Sequence, residues 1–318
     1  MMKIKIGIIG AAGYTAGELI RILLNHPNAE ICYAQSASQA GKNISDVHGD
    51  LLGESSLQFC KDIHFDVDLL FLCSGHGKGQ EFMAKHQVPK RVAIIDLGND
   101  FRLNNKEFSY GLAELMPFYP SNRIANPGCF ATAMQLGLLP LAKAKSLKGK
   151  VIINGLTGST GAGQNPSASS HFSWRNNNIS NYKVFEHQHV PELEQGIKMF
   201  QEELPSIYFI PMRGNFTRGI FLNIVVENSA ELTDLESLYQ DFYQDQEFVV
   251  ISKQDIHLKQ VVNTNKTLIQ LQKKDEQLLI TVALDNLVKG ASGQAVQNMN
   301  ILYKLDPSTG LKLKAGAF

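Results

Sequence analysis

The chain has 318 residues, 44% of them hydrophobic, which is enough for two domains of ordinary size or one large one. Its 30 Lys and Arg residues balance 30 Asp and Glu residues, so charge gives no reason to expect nucleic acid or an acidic membrane as partner, and no apolar run is long enough to span a bilayer. Four cysteines (Cys32, Cys60, Cys73 and Cys129) are scattered without CxxC spacing, which supports neither a disulfide framework nor a zinc site and fits a reducing cytoplasm.

The opening "MMKIKIGIIGAAGY" is basic and then apolar, but glycines break it and no small-residue cleavage site follows. It reads as a first strand and not as a signal peptide. "AAGYTAGELIRILLNHP" continues with helical apolar spacing and a proline stop. The strand–turn–helix pattern departs from G-x-G-x-x-G, because Ala11 and Ala12 fill its middle. Gly10 and Gly13 still allow a tight turn that brings backbone amides to a pyrophosphate, with Tyr14 and Thr15 at the helix start as further cofactor contacts. An empty strand-to-helix turn has the same local signature.

"AEICYAQS", "VDLLFLCSG" and "RVAIIDLG" follow as strands, with a helix "GQEFMAKHQ" between the last two. This alternation predicts a parallel sheet with helices on both faces, and ligands at the strands' carboxyl ends, where Gly10, Ser36, Gly75 and Gly98 fall. After the second strand comes "YAQSASQAGK", with no acid to hold a ribose 2′-hydroxyl. Ser36 and Ser38 suit a 2′-phosphate, and Lys42 either neutralises it or sits in a solvated loop, so NADP is expected over NAD. "DLGNDFRL" places Arg102 just past a strand.

In "NPGCFATAMQLGLLPLA" a turn precedes a helical apolar run, which places the Cys129 sulfur in a helix first turn, where free amides and the macrodipole favour thiolate, a buried core thiol being the alternative. Cys32 and Cys60 read as core residues, and Cys73 is a weaker rival near a strand end. "KVIIN" is a strand, and the "GLTGSTGAGQ" after it offers Ser159, Gly161 and Gly163 as a phosphate cradle or cofactor lining, or is simply a mobile loop. "YKVFEHQHVPELEQ" offers His187, His189 and Glu192 for acid/base work. An extended segment would face both histidines the same way, and a surface pair at a helix entry is the bland alternative. No metal is expected, since a third ligand is missing. Arg218 precedes the strand "GIFLNIVVE" and, like Arg102, can fork onto an anionic substrate or serve as a surface arginine. "SIYFIPMRG", "GIFLNIVVE", "KTLIQLQ" and "QLLITVALD" predict a mostly antiparallel sheet with one face covered. "NLVKGASGQAVQNMNILYKL" then reads as loop and helix.

Taken together, "GAAGYTAGEL", "DLGNDFRL", "NPGCFAT", "GSTGAG", "HQHVPE", "TRGIF" and "DNLVKGASGQAVQNMN" resemble the N-acetyl-gamma-glutamyl-phosphate reductases of arginine biosynthesis, from the first strand to the last helix. The resemblance implies an α/β fold. An N-terminal Rossmann-like parallel-sheet domain over 1–128, completed by 286–318, binds NADP. An α+β catalytic and dimerisation domain over 129–285 carries a mostly antiparallel sheet, in a homodimer or homotetramer. Cys129 is then the nucleophile and His189 the acid/base. His187, Glu192 and Arg218, with Arg102 and Ser159, bind or orient substrate, and Asn286 and Gly290 lie at the cofactor. Tyr182 corresponds to a family tyrosine with its spacing one residue short. Departures from the family pattern are Phe130 for tyrosine, Gln188 for arginine, Gln164 for a basic residue, and the missing Pro-His-Leu before Arg218. They leave nucleophile and base intact and bear on which acyl group, acetyl or another such as succinyl, the substrate carries. An aspartate-semialdehyde-dehydrogenase-like enzyme and a non-catalytic NADP-binding regulator are the competing expectations.

Overall fold

The computed structural model describes residues 3–75 and 77–316. The chain forms two compact units: Met1–Pro127 with Ala291–Lys312, and Gly128–Gly290 with Leu313–Phe318. The expectation began the returning segment at 286. Residues 286–290 instead group with the second unit, where the Gly290 amide donates to Asp285 O at 2.8 Å.

In the first unit, β1 (Ile4–Ile9), β2 (Ala29–Gln35), β3 (Phe59–Cys60), β4 (Leu69–Leu72), β5 (Ala93–Asp96), β6 (Ser109–Tyr110) and β7 (Arg123–Ala125) form one sheet in the order β3-β2-β1-β4-β5-β7-β6. Every pairing in it is parallel. β4 and β5 are buried at every position, which is why they read as unbroken apolar runs and not as an alternation. Strand order reverses between β1 and β4, the usual ligand crevice of such sheets. Helix α1 (Tyr14–Leu24) buries Leu19, Ile20, Ile22 and Leu23. Helix α2 (Lys78–Lys85) starts on Asp100, whose carboxylate accepts from the amides of Gly77, Gly79 and Gln80 at 2.6, 2.8 and 3.1 Å, satisfying amides that no helical carbonyl reaches.

The C-terminal helix (Gly293–Leu302) is buried through Ile301 despite four amide side chains. Most of those amide groups are matched within the unit, the buried Gln294 Oε1 being the exception. Asn298 Nδ2 donates to Gly111 O (2.8 Å) and Asn126 Oδ1 (3.0 Å), while its Oδ1 accepts from the Tyr119 hydroxyl (2.6 Å). Gln294 Nε2 also donates to Gly111 O. The polar "GQAVQNMN" run is thus a hydrogen-bonded core helix.

In the second unit, helix α3 (Cys129–Lys143) is followed by β8 (Lys150–Thr157), α4 (Phe172–Arg175), β9 (Ser180–Asn181), α5 (Val190–Lys198), β10 (Ser206–Arg213), β11 (Ile220–Glu227), α6 (Leu232–Phe242), β12 (Val249–Ser252), β13 (Thr267–Lys274) and β14 (Gln277–Leu284). The sheet order is β12-β13-β14-β11-β8-β10-β9. It is antiparallel except at β10–β8 and β12–β13. Burial alternates along β8 and β11, so one face is covered, as the alternation predicts. Helix α3 lies on that face. A Cβ on Gly137 would come within 2.8 Å of Ile224 Cδ1, so only glycine permits that approach. Pro140 sits inside α3 and cannot donate to the Leu136 carbonyl. The Tyr243 hydroxyl donates to that carbonyl at 2.6 Å, and the Tyr239 hydroxyl to the neighbouring Gly137 carbonyl.

Candidate active site

Helix α3 begins at Cys129 itself, with Gly128 as its extended N-cap. The chain turns at Pro127 and Gly128 so that the thiol stands among first-turn amides, where the helix field favours negative charge. The other thiols lie elsewhere: burial raises the pKa of Cys32 and Cys60 above its ordinary value, and raises that of Cys73 furthest.

Glu192 comes to Cys129 from the first turn of α5. It is 1% exposed; its Oε2 accepts the Gly128 amide at 3.0 Å, and its Oε1 lies 4.0 Å from His189 Nε2. One buried carboxylate therefore ties the start of the cysteine helix to the imidazole. The two histidines meet with ring centroids 4.7 Å apart, but through a turn and not an extended segment. His189 caps α5 with φ −89° and ψ −9°, and its amide donates to His187 Nδ1 at 3.2 Å. The alternative of a surface pair is corrected too, since both rings are buried. Phe130 and Phe209 pack on the His187 ring at 5.6 and 5.3 Å, and Tyr182 meets it at 5.7 Å.

A lone pair at Nδ1 that accepts an amide makes His187 a neutral Nε2–H tautomer. Burial, then the charges of Lys183 and Arg213, hold its pKa down to about 4 from 6.5. The folded value lies below the unfolded one. The resulting stability is therefore present above about pH 6.5 and is lost as pH falls toward 4, at most on the order of 3 kcal/mol. Urea melts at pH 7.5 and 4.5 should show a smaller loss for His187→Asn than for the unsubstituted protein; equal losses would contradict this origin.

Gly290 stands against the thiol. A Cβ there would lie 2.7 Å from Cys129 Cβ and 3.2 Å from Cys129 Cα. Arg218 is held from the other side of its loop: Nε and Nη2 donate to Asp285 Oδ2 and Oδ1 at 3.1 and 3.2 Å. Asp285 is fully buried and also accepts the amides of Asn263, Leu287 and Val288. Ser159, Gly161 and Gly163 belong to a loop that is stitched down. Ser159 N donates to Phe216 O (2.8 Å) and Thr160 N to Thr217 O (3.1 Å), with Gly163 at φ +78°. Asn286, expected at the cofactor, holds this loop: its Oδ1 accepts Gly219 N (2.7 Å) and its Nδ2 donates to Thr160 Oγ1 (3.1 Å).

At the carboxyl ends of the first unit's strands, Gly10 has φ +75°, and a Cβ would overlap Ser74 at 2.6 Å. Gly13 and Gly75 have open space where a Cβ would point, so a ligand can approach their backbone closely. Tyr14 is exposed, Thr15 O accepts Ser292 Oγ (2.6 Å), Ser36 lies buried at the end of β2, and Ser38 and Lys42 are exposed. These residues fit a dinucleotide: a glycine turn leads into a helix N-terminus, and no carboxylate occupies the 36–42 loop to repel a 2′-phosphate. Arg102 requires a correction. Instead of an open fork for substrate, it is 5% exposed and donates to Asn126 O (2.8 Å) and Leu97 O (3.0 Å), bracing the strand ends.

Three contributors carried no sequence signal. Asp285 anchors Arg218 across 67 residues. The Arg213 guanidinium lies 4.4 Å over the Tyr182 ring. His48 Nε2 donates to Ala11 O at 2.8 Å and fixes the glycine turn; a Cβ on Gly17 would lie 2.6 Å from the same ring, which accounts for the last glycine of the motif. Among the described residues, no group of His, Cys, Asp and Glu could hold a metal ion, and no helix is long and apolar enough to cross a membrane.

Two family models match the chain: the semialdehyde dehydrogenase NAD binding domain over residues 5–119 and the semialdehyde dehydrogenase dimerisation domain over 129–286. N-acetyl-gamma-glutamyl-phosphate reductase of Bacteroides thetaiotaomicron is 53% identical over 99% of this chain and 100% of its own. That of Christiangramia forsetii is 50% identical at the same coverage. Among solved structures, aspartate semialdehyde dehydrogenase II of Vibrio cholerae, complexed with ASA, superposes with a TM-score of 0.77 over 96% of this chain and 99% of its own, at 15% identity. The Candida albicans aspartate semialdehyde dehydrogenase with NADP gives a TM-score of 0.71 over 95% of this chain and 98% of its own, at 14% identity. The last two show a shared fold. With both family models spanning most of the sequence and full-length relatives at half identity, the chain belongs to the semialdehyde dehydrogenase family, among the N-acetyl-gamma-glutamyl-phosphate reductases.

Proposed function

We infer that the chain reduces N-acetyl-gamma-glutamyl phosphate to N-acetylglutamate 5-semialdehyde and phosphate with NADPH, through a thioester on Cys129. The observation that carries this reading is a cysteine at a helix N-terminus whose N-cap amide and neighbouring imidazole share one buried carboxylate. His189, oriented by Glu192, takes the thiol proton, and Cys129 Sγ attacks the acyl carbonyl carbon. The C–O bond to phosphate breaks and phosphate leaves with the electron pair, which splits one difficult step into two easier ones. First-turn amides of α3 offset the charge on the carbonyl oxygen. NADPH, when bound, supplies the hydride that reduces the acyl group. His189 then returns its proton as the C–S bond breaks and the aldehyde departs. Neutral His187 serves as a hydrogen-bond donor through Nε2, and Arg218 and Ser159 orient the substrate. Gly10, Gly13, Tyr14, Thr15, Ser36, Ser38 and Gly75 would hold the dinucleotide. The half-covered sheet of the second unit, which the family model describes as a dimerisation domain, suits a homodimer or homotetramer, and the four free cysteines fit a reducing cytoplasm.

The test is phosphate-dependent oxidation of N-acetylglutamate semialdehyde and of its N-succinyl analogue with NADP. Turnover of at least one, with no turnover of aspartate semialdehyde, is expected. Preference for aspartate semialdehyde would overturn the substrate assignment. On the cofactor side, Ser36→Asp should weaken NADPH at least tenfold more than NADH, because a carboxylate repels the 2′-phosphate. Equal effects on the two would remove Ser36 from that site.

A further inference from the structure

Most charged side chains around Cys129 are matched. Arg218 is forked onto Asp285, and Glu192 is divided between Gly128 and His189. Arg213, the last residue of β10, is different. Among the described residues it makes no ion pair, and its Nε is buried with no hydrogen-bond partner. Its guanidinium lies 4.4 Å over the Tyr182 ring, which in turn meets His187. The Arg175 guanidinium donates to its carbonyl at 2.6 Å, so the backbone at Arg213 is fixed; its side chain also hydrogen-bonds Tyr182, while no carboxylate among the described residues pairs with it. The charges of Lys183 and Arg213 both act on His187, and that of Cys129 acts on Tyr182. Apart from Glu192 and the thiol itself, these groups leave the cluster with an excess of positive charge and a donor awaiting an acceptor. A half-buried guanidinium keeps exposed donors that an arriving anion can engage, and its planar fork suits a carboxylate or a phosphoryl group.

We propose that Arg213 is a substrate-anion residue, which receives a carboxylate or phosphoryl oxygen of the bound acyl phosphate and fixes the substrate over Cys129. This rests on the assignment of Cys129 as nucleophile. In "FIPMRGNFTRGIF" no spacing singles out Arg213; only its stacking and its unmatched nitrogen do.

The experiment is steady-state kinetics of Arg213→Gln and Arg213→Lys in the oxidative direction, varying phosphate and semialdehyde separately. Arg213→Gln should raise one Michaelis constant about tenfold or more with kcat within a few-fold, and Arg213→Lys should recover part of the loss. A rise for phosphate assigns the phosphoryl group. A rise for every semialdehyde assigns the α-carboxylate, and a rise only for one whose acyl group bears its own carboxylate assigns that group. Unchanged constants for both substrates would overturn the proposal, as would a fall in kcat alone accompanied by a lower melting temperature. Alkylation of Cys129 by iodoacetamide, followed in the same variants, reads the nucleophile separately: a rate unaffected by Arg213→Gln beside an altered Michaelis constant supports the proposal. Failure of Cys129 to react in the unsubstituted protein would count against the nucleophile and not against Arg213.

Discussion

Replacing Cys129 with serine is expected to lower reductive turnover by about 10^4-fold or more while leaving NADPH binding unchanged. The hydroxyl keeps the volume and the place at the start of α3 but is far harder to ionise there than a thiol. Gly128 and Glu192 would still be joined, so the loss reads as chemistry and not as unfolding. The checks are steady-state rates and NADPH fluorescence titration. The other three cysteines serve as controls, because burial raises each of their thiols. Turnover near the unsubstituted rate in the serine variant would remove the thioester from the mechanism.

Gly290→Ala is the second large effect. The added methyl would lie 2.7 Å from Cys129 Cβ and 3.2 Å from both Cys129 Cα and Asp285 O. None of these is the movable end of a long side chain. The cysteine helix or the Asp285–Gly290 turn must therefore shift, and displacement of a nucleophile by about 1 Å costs on the order of 100-fold in rate. We expect kcat to fall by about 100-fold, with a loss of about 1–3 kcal/mol in stability from overpacking. Dinucleotide affinity should barely change, since the substitution lies in the second unit and the glycine turn in the first. Unaltered kcat would show that the thiol's position is not set by Gly290.

The long elements were legible because their patterns are set by burial. β4 and β5 are apolar runs buried at every position, β1 is buried except at Lys5, β2 is buried in part, and β8, β10, β11, β13 and β14 are extended runs at least partly alternating. β3, β6 and β9 are two residues long and β7 is three. Such pieces carry no period of their own and exist because a neighbouring strand offers hydrogen bonds. Cys129 was legible because Pro-Gly followed by an apolar helix fixes the thiol locally. The pairing of His187 with His189 was foreseen for a different reason from the one observed: a histidine amide bonding back to the previous ring makes a turn that alternation does not encode. Arg102 and Arg218 looked alike in sequence, yet one braces backbone carbonyls and the other is steadied by Asp285. Asn126 lies 24 residues from Arg102 and Asp285 67 from Arg218, and only the folded chain brings these pairs together. The same holds for His48 under the glycine turn and Arg213 over Tyr182.

The central claim is tested most directly by intact-protein and peptide mass spectrometry after mixing the enzyme with the acyl phosphate, without NADPH. A single added acyl mass on the peptide containing Cys129, absent in Cys129→Ser and discharged on adding NADPH, is the predicted result. An unmodified Cys129 peptide under conditions where the complete system turns over would contradict the account.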